Sequence, residues 1–176
     1  MDVVTTGTVL GAKPTDSPDR VTSILGSDFF ENSLNNHSMW RDYGVVEFFW
    51  IRKTPEQPWE GHHFTLQVHR LPHGGGSLVN QVIRDRYGRF DRHLRFAKLE
   101  RLLKNRGVSL EDVPDVNAPA VSQHWQPDSQ VSVLVTRAHE EWRPRYRGDD
   151  RLGDVYAICS SVSAEQVAWN RERYGR

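Results

Sequence analysis

Eight histidines are the side chains of this sequence best suited to acid–base or metal chemistry. They are His37, His62, His63, His69, His73, His93, His124 and His139. His63, His69 and His73 are close enough along the chain to converge on a metal ion, since 63 and 69 share one face of a predicted strand. A zinc site needs three or four converging ligands, but the sequence contains no Cys–Cys pair and no His-Glu-x-x-His spacing. We therefore expect polar histidines on the solvated face of a strand, with no metal and no cofactor.

One of these histidines also suggests phosphoester chemistry. His63, Phe64 and Thr65 resemble one half of the His-x-Thr signature of two-histidine phosphoesterases, in which one imidazole acts as base and the other as acid. That chemistry requires the motif twice, and no other histidine is followed two residues later by Ser or Thr. A phosphoester-processing enzyme that uses His63 and Thr65 remains an alternative function.

Nucleophilic catalysis has one candidate, the single cysteine Cys159. It cannot form an internal disulfide, and it follows the apolar run 155–158. Burial in an apolar strand disfavours the reactive thiolate, so a small buried side chain is expected there. The glycine-rich turn 74–77 lacks the lysine and the spacing of a phosphate-binding loop. We therefore expect no catalytic residue.

Charge is distributed unevenly along the chain. The whole sequence balances 23 basic against 23 acidic residues, which argues against a general nucleic-acid binder. Residues 84–106 nevertheless contain nine Lys or Arg and three acids, a local net charge of +6, whereas 109–128 contain four acids and no basic residue. A basic segment of this kind can hold RNA phosphates. An RNA-binding module that uses 84–106 is a second alternative, although nucleic acid is not the expected partner.

Three helices are predicted from their end signals and their apolar spacing. Ser17 followed by Pro18 is typical of a helix start. Ser163 and Gln166 form a capping box, which satisfies two backbone N–H groups at a helix start. Leucines at helical spacing identify the remaining helix. The predicted helices span 17–25, 90–106 and 164–173.

Five runs rich in β-branched and aromatic residues are predicted as strands. The first two are expected to pair as an antiparallel hairpin with a long loop, and the next two as a second hairpin. Glu47 is charged within the first run, and an unpaired buried carboxylate is costly. Glu47 should therefore face solvent or meet a basic partner such as Arg70. The predicted strands span 45–52, 63–71, 121–125, 131–136 and 154–160.

This order of elements predicts an α+β fold with a mostly antiparallel sheet of about five strands and helices packed on one face. Residues 1–16 lack periodicity and are expected to form a mobile N-terminal arm, and 17–176 a single α+β domain. The N-terminus has no basic cluster followed by an apolar stretch, and no run approaches the roughly 18 apolar residues of a membrane span. We therefore expect a cytoplasmic protein.

Three stretches resemble a known class of bacterial proteins. Ile-Leu-Gly-Ser-Asp at 24–28 leads to Arg-Asp-Tyr-Gly-Val-Val-Glu-Phe-Phe-Trp at 41–50 and to Gln-Val-His-Arg-Leu at 67–71. A short helix that ends in Leu-Gly, an Asp-Tyr-Gly turn and a Val-Glu-Phe strand are similar to small actinobacterial immunity-type proteins of polymorphic toxin systems. The resemblance implies a protein without an active site that covers or distorts a cognate toxin.

Aromatic and arginine side chains in predicted loops are the candidate contacts with such a partner. Tryptophan, tyrosine and arginine are the usual anchors of protein interfaces, and neighbouring prolines restrict the loops that present them. The predicted contacts are Trp59, Trp142, Arg143, Arg145 and Tyr146. The sequence thus favours an immunity protein that binds a cognate bacterial toxin and neutralises it by occlusion, and it does not favour an enzyme.

Overall fold

The computed structural model of the chain describes residues 1–74, 79–114, 120–137 and 151–175. Over these residues it contains one sheet of eight strands, six α-helices and a short 3-10 turn at Val68–Arg70. The strands are β1 (Phe30–Asn35), β2 (Ser38–Asp42), β3 (Val46–Ile51), β4 (Glu60–Leu66), β5 (Glu111–Val113), β6 (Val121–Gln126), β7 (Val131–Thr136) and β8 (Val155–Cys159). The helices are α1 (Asp2–Thr6), α2 (Pro18–Leu25), α3 (Leu71–Gly74), α4 (Gln81–Tyr87), α5 (Phe96–Lys104) and α6 (Ala164–Tyr174).

The sheet is antiparallel throughout, in the order β1-β2-β3-β4-β8-β7-β6-β5. The first four strands therefore form one half of the sheet and the last four form the other. A short ladder between β4 and β8 joins the two halves, pairing Thr65 with Cys159 and Leu66 with Ile158. The predicted hairpins β3–β4 and β6–β7 are both confirmed.

The prediction of about five strands is wrong, because the sheet has eight. The additional strands are β1, β2 and β5, and two of them form its edges. β1 reads Phe-Glu-Asn-Ser-Leu-Asn, and β5 is only three residues long. Neither has the apolar alternation that identifies a half-buried strand from sequence. Their extended conformation accompanies pairing with the neighbouring strands β2 and β6.

The prediction that the helices pack on one face of the sheet is also wrong. Neighbouring residues of a strand point to opposite faces. In β6, the His124 ring stacks on Phe96 of α5 with ring centroids 4.2 Å apart, whereas the next residue, Trp125, packs with Val167 of α6. The helix α6 therefore lies on the face opposite α5.

The main core lies on the α5 face of the sheet. Its largest fully buried side chains include Phe48, Trp50 and Phe64 of β3 and β4. Residues 1–16, assigned from sequence to an N-terminal arm, are docked on this core. They contain α1 and bury four apolar side chains, and the Ser129 hydroxyl donates to the Val4 carbonyl at 2.6 Å. The buried arm residues are Val3, Val4, Val9 and Ala12.

The predicted helix starts at Ser17 and Ser163 are confirmed. The Ser17 hydroxyl accepts from the Arg20 N–H at 3.3 Å, and the Ser163 hydroxyl accepts from the Gln166 N–H at 3.1 Å. The third helix is shorter than predicted because it begins at Phe96 rather than near residue 90. The residues before it are extended alongside β8, where the Val155 N–H donates to the Leu94 carbonyl at 2.8 Å.

Candidate functional site

A groove opens on the face of the sheet that is opposite the main core, across β2, β3 and β4. Its volume is about 380 Å³. Its principal lining side chains are Leu34, Trp40, Phe49, Ile51, His62 and His63. Two of these apolar side chains are widely exposed, Leu34 at 79% and Ile51 at 43%. Exposed apolar side chains clustered around a concave surface are characteristic of binding sites.

A row of aromatic rings crosses three strands along this groove. Trp40 of β2 is directly opposite Phe49 of β3, which is opposite His63 of β4. The Trp40 and Phe49 rings stack with centroids 6.2 Å apart, and the Phe49 and His63 rings with centroids 4.2 Å apart. Neither Trp40 nor Phe49 belongs to a hydrophobic cluster of the core. The row, called the aromatic row below, thus presents a preformed surface of stacked rings.

The neighbouring cross-strand row, formed by Asp42, Glu47 and Thr65, contains a buried carboxylate. Glu47 is 7% exposed, and its carboxylate accepts from the Arg70 guanidinium at 2.6 Å and from the Gln67 amide. Arg70 also bonds to Asp42, the residue opposite Glu47 in β2, at 2.9 Å. Of the two alternatives expected for Glu47, solvent exposure or a basic partner such as Arg70, the structure shows the second. This charge network fixes the turn that follows β4 against β3.

His62 and His63 form the β4 side of the groove. The register between β3 and β4 shifts between Phe49 and Trp50, so His62 of β4 has no residue directly opposite it in β3. The Nδ1 atoms of the two imidazoles are 2.6 Å apart, so one ring donates and the other accepts. Burial, with the adjacent His62, lowers the pKa of His63 to about 4. The imidazole of His63 is therefore neutral at neutral pH.

The same geometry bears on the phosphoesterase alternative. Thr65 lies beside His63 along the strand, but its hydroxyl is directed to the Cys159 sulfur at 3.9 Å. A general base is most effective when its pKa is near the operating pH, and the pKa of His63 is about 4. Partial burial also raises the pKa of the Cys159 thiol, which disfavours the reactive thiolate, and the side chain is half-buried rather than fully buried as expected.

The three histidines considered for a metal site occupy different elements. β4 ends at Leu66, so His69 lies in the 3-10 turn and His73 in α3, rather than on the strand that carries His63. The His69 ring stacks on Tyr156 of β8 with centroids 4.4 Å apart. Within the described ranges, no group of three or more His, Cys, Asp or Glu side chains is placed to hold a metal ion.

Only one of the predicted contact residues lies in the described part of the chain. The Trp59 ring packs on the main core and lies under the Arg52 guanidinium, 4.0 Å from the ring centroid. It does not line the groove. The other four, Trp142, Arg143, Arg145 and Tyr146, lie outside the described residues.

The basic segment 84–106 lies on α4, α5 and the connection between them. Four of its cations form ion pairs: Arg95 with Asp154, Lys98 with Asp91, Lys104 with Glu100, and Arg106 with Asp2. In the acidic segment, Glu111 pairs with Arg171 of α6 and Asp112 with His124. None of these six pairs joins the two segments.

The groove itself was not predicted from the sequence, although His63 was a candidate site residue there and β3 carried a signal. Val46, Phe48 and Trp50 point to the core, yet the alternate positions Phe49 and Ile51 are apolar too. Apolar residues at both the odd and the even positions of a strand indicate that both of its faces are apolar. Which face the chain itself covers depends on tertiary packing, so the signal predicts a second apolar face without locating a groove.

Comparison with known proteins gave no match to a family model, a curated protein or a solved structure. Among the helices of the described residues, none has the length and the apolar character required to cross a membrane.

Proposed function

We propose that this protein binds another protein through the groove, and that it acts in the cytoplasm as an immunity protein that occludes a cognate bacterial toxin. The observation that carries the proposal is the aromatic row, which the described residues leave open and which has exposed apolar side chains at its rim. Aromatic anchors surrounded by less critical contacts dominate the energetics of protein interfaces. The resemblance of residues 24–71 to immunity-type proteins supports the choice of a toxin as the partner.

Occlusion fits the physical properties of the groove better than catalysis does. Its rings are held by stacking, its buried carboxylate is neutralised by Arg70, and its histidine pair is internally bonded. Groups that are already stacked, charge-paired or hydrogen-bonded to one another are poorly suited to catalysis. They form a preorganised surface instead, which limits the entropy lost on binding. We expect the partner to insert apolar or aromatic side chains between Leu34, Ile51 and the aromatic row.

Co-expression with the toxin-like product of the adjacent gene tests the proposal. The decisive variant is Ile51→Lys, which places a charge in the groove at a side chain that is 43% exposed. Trp169→Lys is the matched control, because Trp169 is 48% exposed and lies on α6, outside the groove. We expect Ile51→Lys to weaken toxin binding about 100-fold or more and to abolish growth rescue, whereas Trp169→Lys retains both.

The outcome that contradicts the groove as the binding site is equally specific. It is an Ile51→Lys variant that copurifies with the toxin and protects cells as well as the unmodified protein does. Failure of the unmodified protein to bind or to protect would contradict the immunity function itself. Circular dichroism of both variants establishes that they fold alike before the results are compared.

A further inference from the structure

The two edges of the sheet differ in how they are protected against further pairing. Edge strands expose unpaired backbone groups, and proteins commonly shorten them or place charges along them. The β5 edge is three residues long, and its two acids are bonded to Arg171 and His124. The β1 edge is six residues long, and every residue in it is exposed. It also contains no Lys and no Pro.

The side chains of β1 are unusual for a solvent-exposed edge. Phe30 is 84% exposed and Leu34 is 79% exposed. The strand has one charged side chain, Glu31, and Arg41 of β2 neutralises it at 2.7 Å. Two such edges can approach each other without repulsion between like charges. Apolar side chains left in water at a charge-neutral edge gain by pairing with one another.

We propose that β1 pairs antiparallel with β1 of a second copy of this chain, so that two sheets join into one. The symmetric register that places Asn32 opposite its own equivalent pairs Phe30 of each copy with Leu34 of the other. It also places Glu31 opposite Ser33. Twofold symmetry makes these contacts occur twice, which is the self-complementarity that a closed dimer requires.

The backbone of β1 is regular from Phe30 to Ser33, and its pairing with β2 shifts between Ser33 and Asn35, so Leu34 lies at an irregularity of the strand. The Ser33 N–H donates to the side chain of the adjacent Asn32 at 2.8 Å, a local bond that an added strand replaces. With Glu31 and Ser33 as the hydrogen-bonded pair, the two Asn32 residues form a non-hydrogen-bonded pair with Cα atoms about 4.5 Å apart. The twofold axis is then perpendicular to the sheet, and both grooves open on the same side of the dimer.

The size of the contact sets the expected affinity. One six-residue strand from each copy buries less than the roughly 1,200 Å² of a standard interface, so a dimer with a micromolar dissociation constant is expected. Size-exclusion chromatography with light scattering should show the mass rising with concentration from the monomer value of 20.3 kDa toward twice that value. A mass that stays at the monomer value up to about 0.5 mM overturns the proposal.

Variants of the edge locate the interface. We expect Phe30→Lys and Leu34→Lys each to raise the dissociation constant about tenfold or more, since each places a cation opposite an apolar side chain. Both positions are exposed, so the fold is retained, and circular dichroism verifies this. Trp169→Lys on α6 is the control and should dimerise normally. Dimers that survive the β1 variants, or that Trp169→Lys abolishes, contradict the proposal.

A cysteine pair tests the register directly in a Cys159→Ala background. Asn32→Cys should form an intermolecular disulfide under mild oxidation, because its predicted Cα separation falls in the disulfide range. Ser33→Cys is the matched control. In the proposed register the Ser33 residues of the two copies are offset by two residues and lie about 7–8 Å apart, so the cysteines should not cross-link efficiently. Equal cross-linking of the two variants contradicts the register. Since these measurements use the protein alone, they are independent of the proposed toxin binding.

Discussion

The two halves of the sheet differ in what covers the face opposite the main core. In the half formed by β5–β8, Trp125 is buried under α6, and its indole N–H donates to the Val162 carbonyl at 2.8 Å. In the half formed by β1–β4, Trp40 and Phe49 stack on each other and line a groove. Both halves therefore carry large aromatic side chains on this face, but α6 packs over only one of them. An aromatic surface that the described residues leave open has the composition of a binding surface.

The largest effect that would test this difference is expected at the covered half. Trp125→Ala should lower the free energy of unfolding by about 3–5 kcal/mol, because it removes a buried ring and leaves a cavity beneath α6. Equilibrium urea denaturation measures the loss. Trp169→Ala, in the covering helix α6, is the control. Its exposed ring should contribute less than about 1 kcal/mol to the free energy of unfolding. A small effect of Trp125→Ala would show that α6 does not seal this half.

The next largest effect concerns the charge network beside the groove. Arg70→Met leaves the carboxylate of Glu47 buried without its cation, which should cost about 2–3 kcal/mol of unfolding free energy. This is below the usual range for a broken buried pair because the Arg70 side chain is 31% exposed. Thermal and urea denaturation measure the change.

The double variant Arg70→Met with Glu47→Gln is the control for this interpretation. Removing the charge as well as its partner should recover at least half of the lost stability, because the cost lies in the unpaired carboxylate. If the double variant is as unstable as Arg70→Met, packing of the arginine side chain rather than charge pairing accounts for the loss.

How far the sequence predicted these elements depends on whether the deciding interaction is local. The cap at Ser163 was predicted because its hydrogen bond reaches only three residues along the chain. The Glu47–Arg70 pair was one of two alternatives predicted, because a carboxylate in an apolar run must either face solvent or meet a basic partner. In both cases the signal is the chemistry of one residue in its local sequence: a hydroxyl at a helix start, or a carboxylate in an apolar strand.

The remaining features depend on interactions between distant residues. β1 has few strand-forming residues, and its extended conformation accompanies pairing with β2. His69 was assigned to the strand of His63, but the chain leaves β4 after Leu66 and returns toward Glu47 through Gln67 and Arg70. The groove depends on which face of β3 stays uncovered, and a single strand does not specify this.

A smaller effect is expected from the pH dependence of stability at the open half. The pKa of His63 is about 4 in the folded protein, against about 6.5 in an unfolded chain. Between these values the unfolded state binds the proton more strongly, so stability rises with pH over this range. The contribution of His63 is complete above about pH 6.5 and is lost as the pH falls to about 4.

Urea denaturation between about pH 7 and about pH 5 measures this dependence. We expect the unmodified protein to lose stability over this range by more than a His63→Phe variant does, since the variant keeps the stack on Phe49 and has no titrating ring. The difference should be smaller than the effects above, because the imidazole is partly solvated. Coincident pH profiles would show that burial of His63 does not influence folding.

The smallest effect on stability is the one most informative about the open half. Ile51→Lys should change the unfolding free energy by no more than about 0.5 kcal/mol, because its side chain is exposed and seals no core. Trp169→Lys should be similarly neutral. If the open half exists for a partner, these two variants are equal in urea denaturation and differ only in toxin binding. A substantial loss of stability in Ile51→Lys would instead mean that the groove belongs to the folding core, and the distinction between the two halves would then fail.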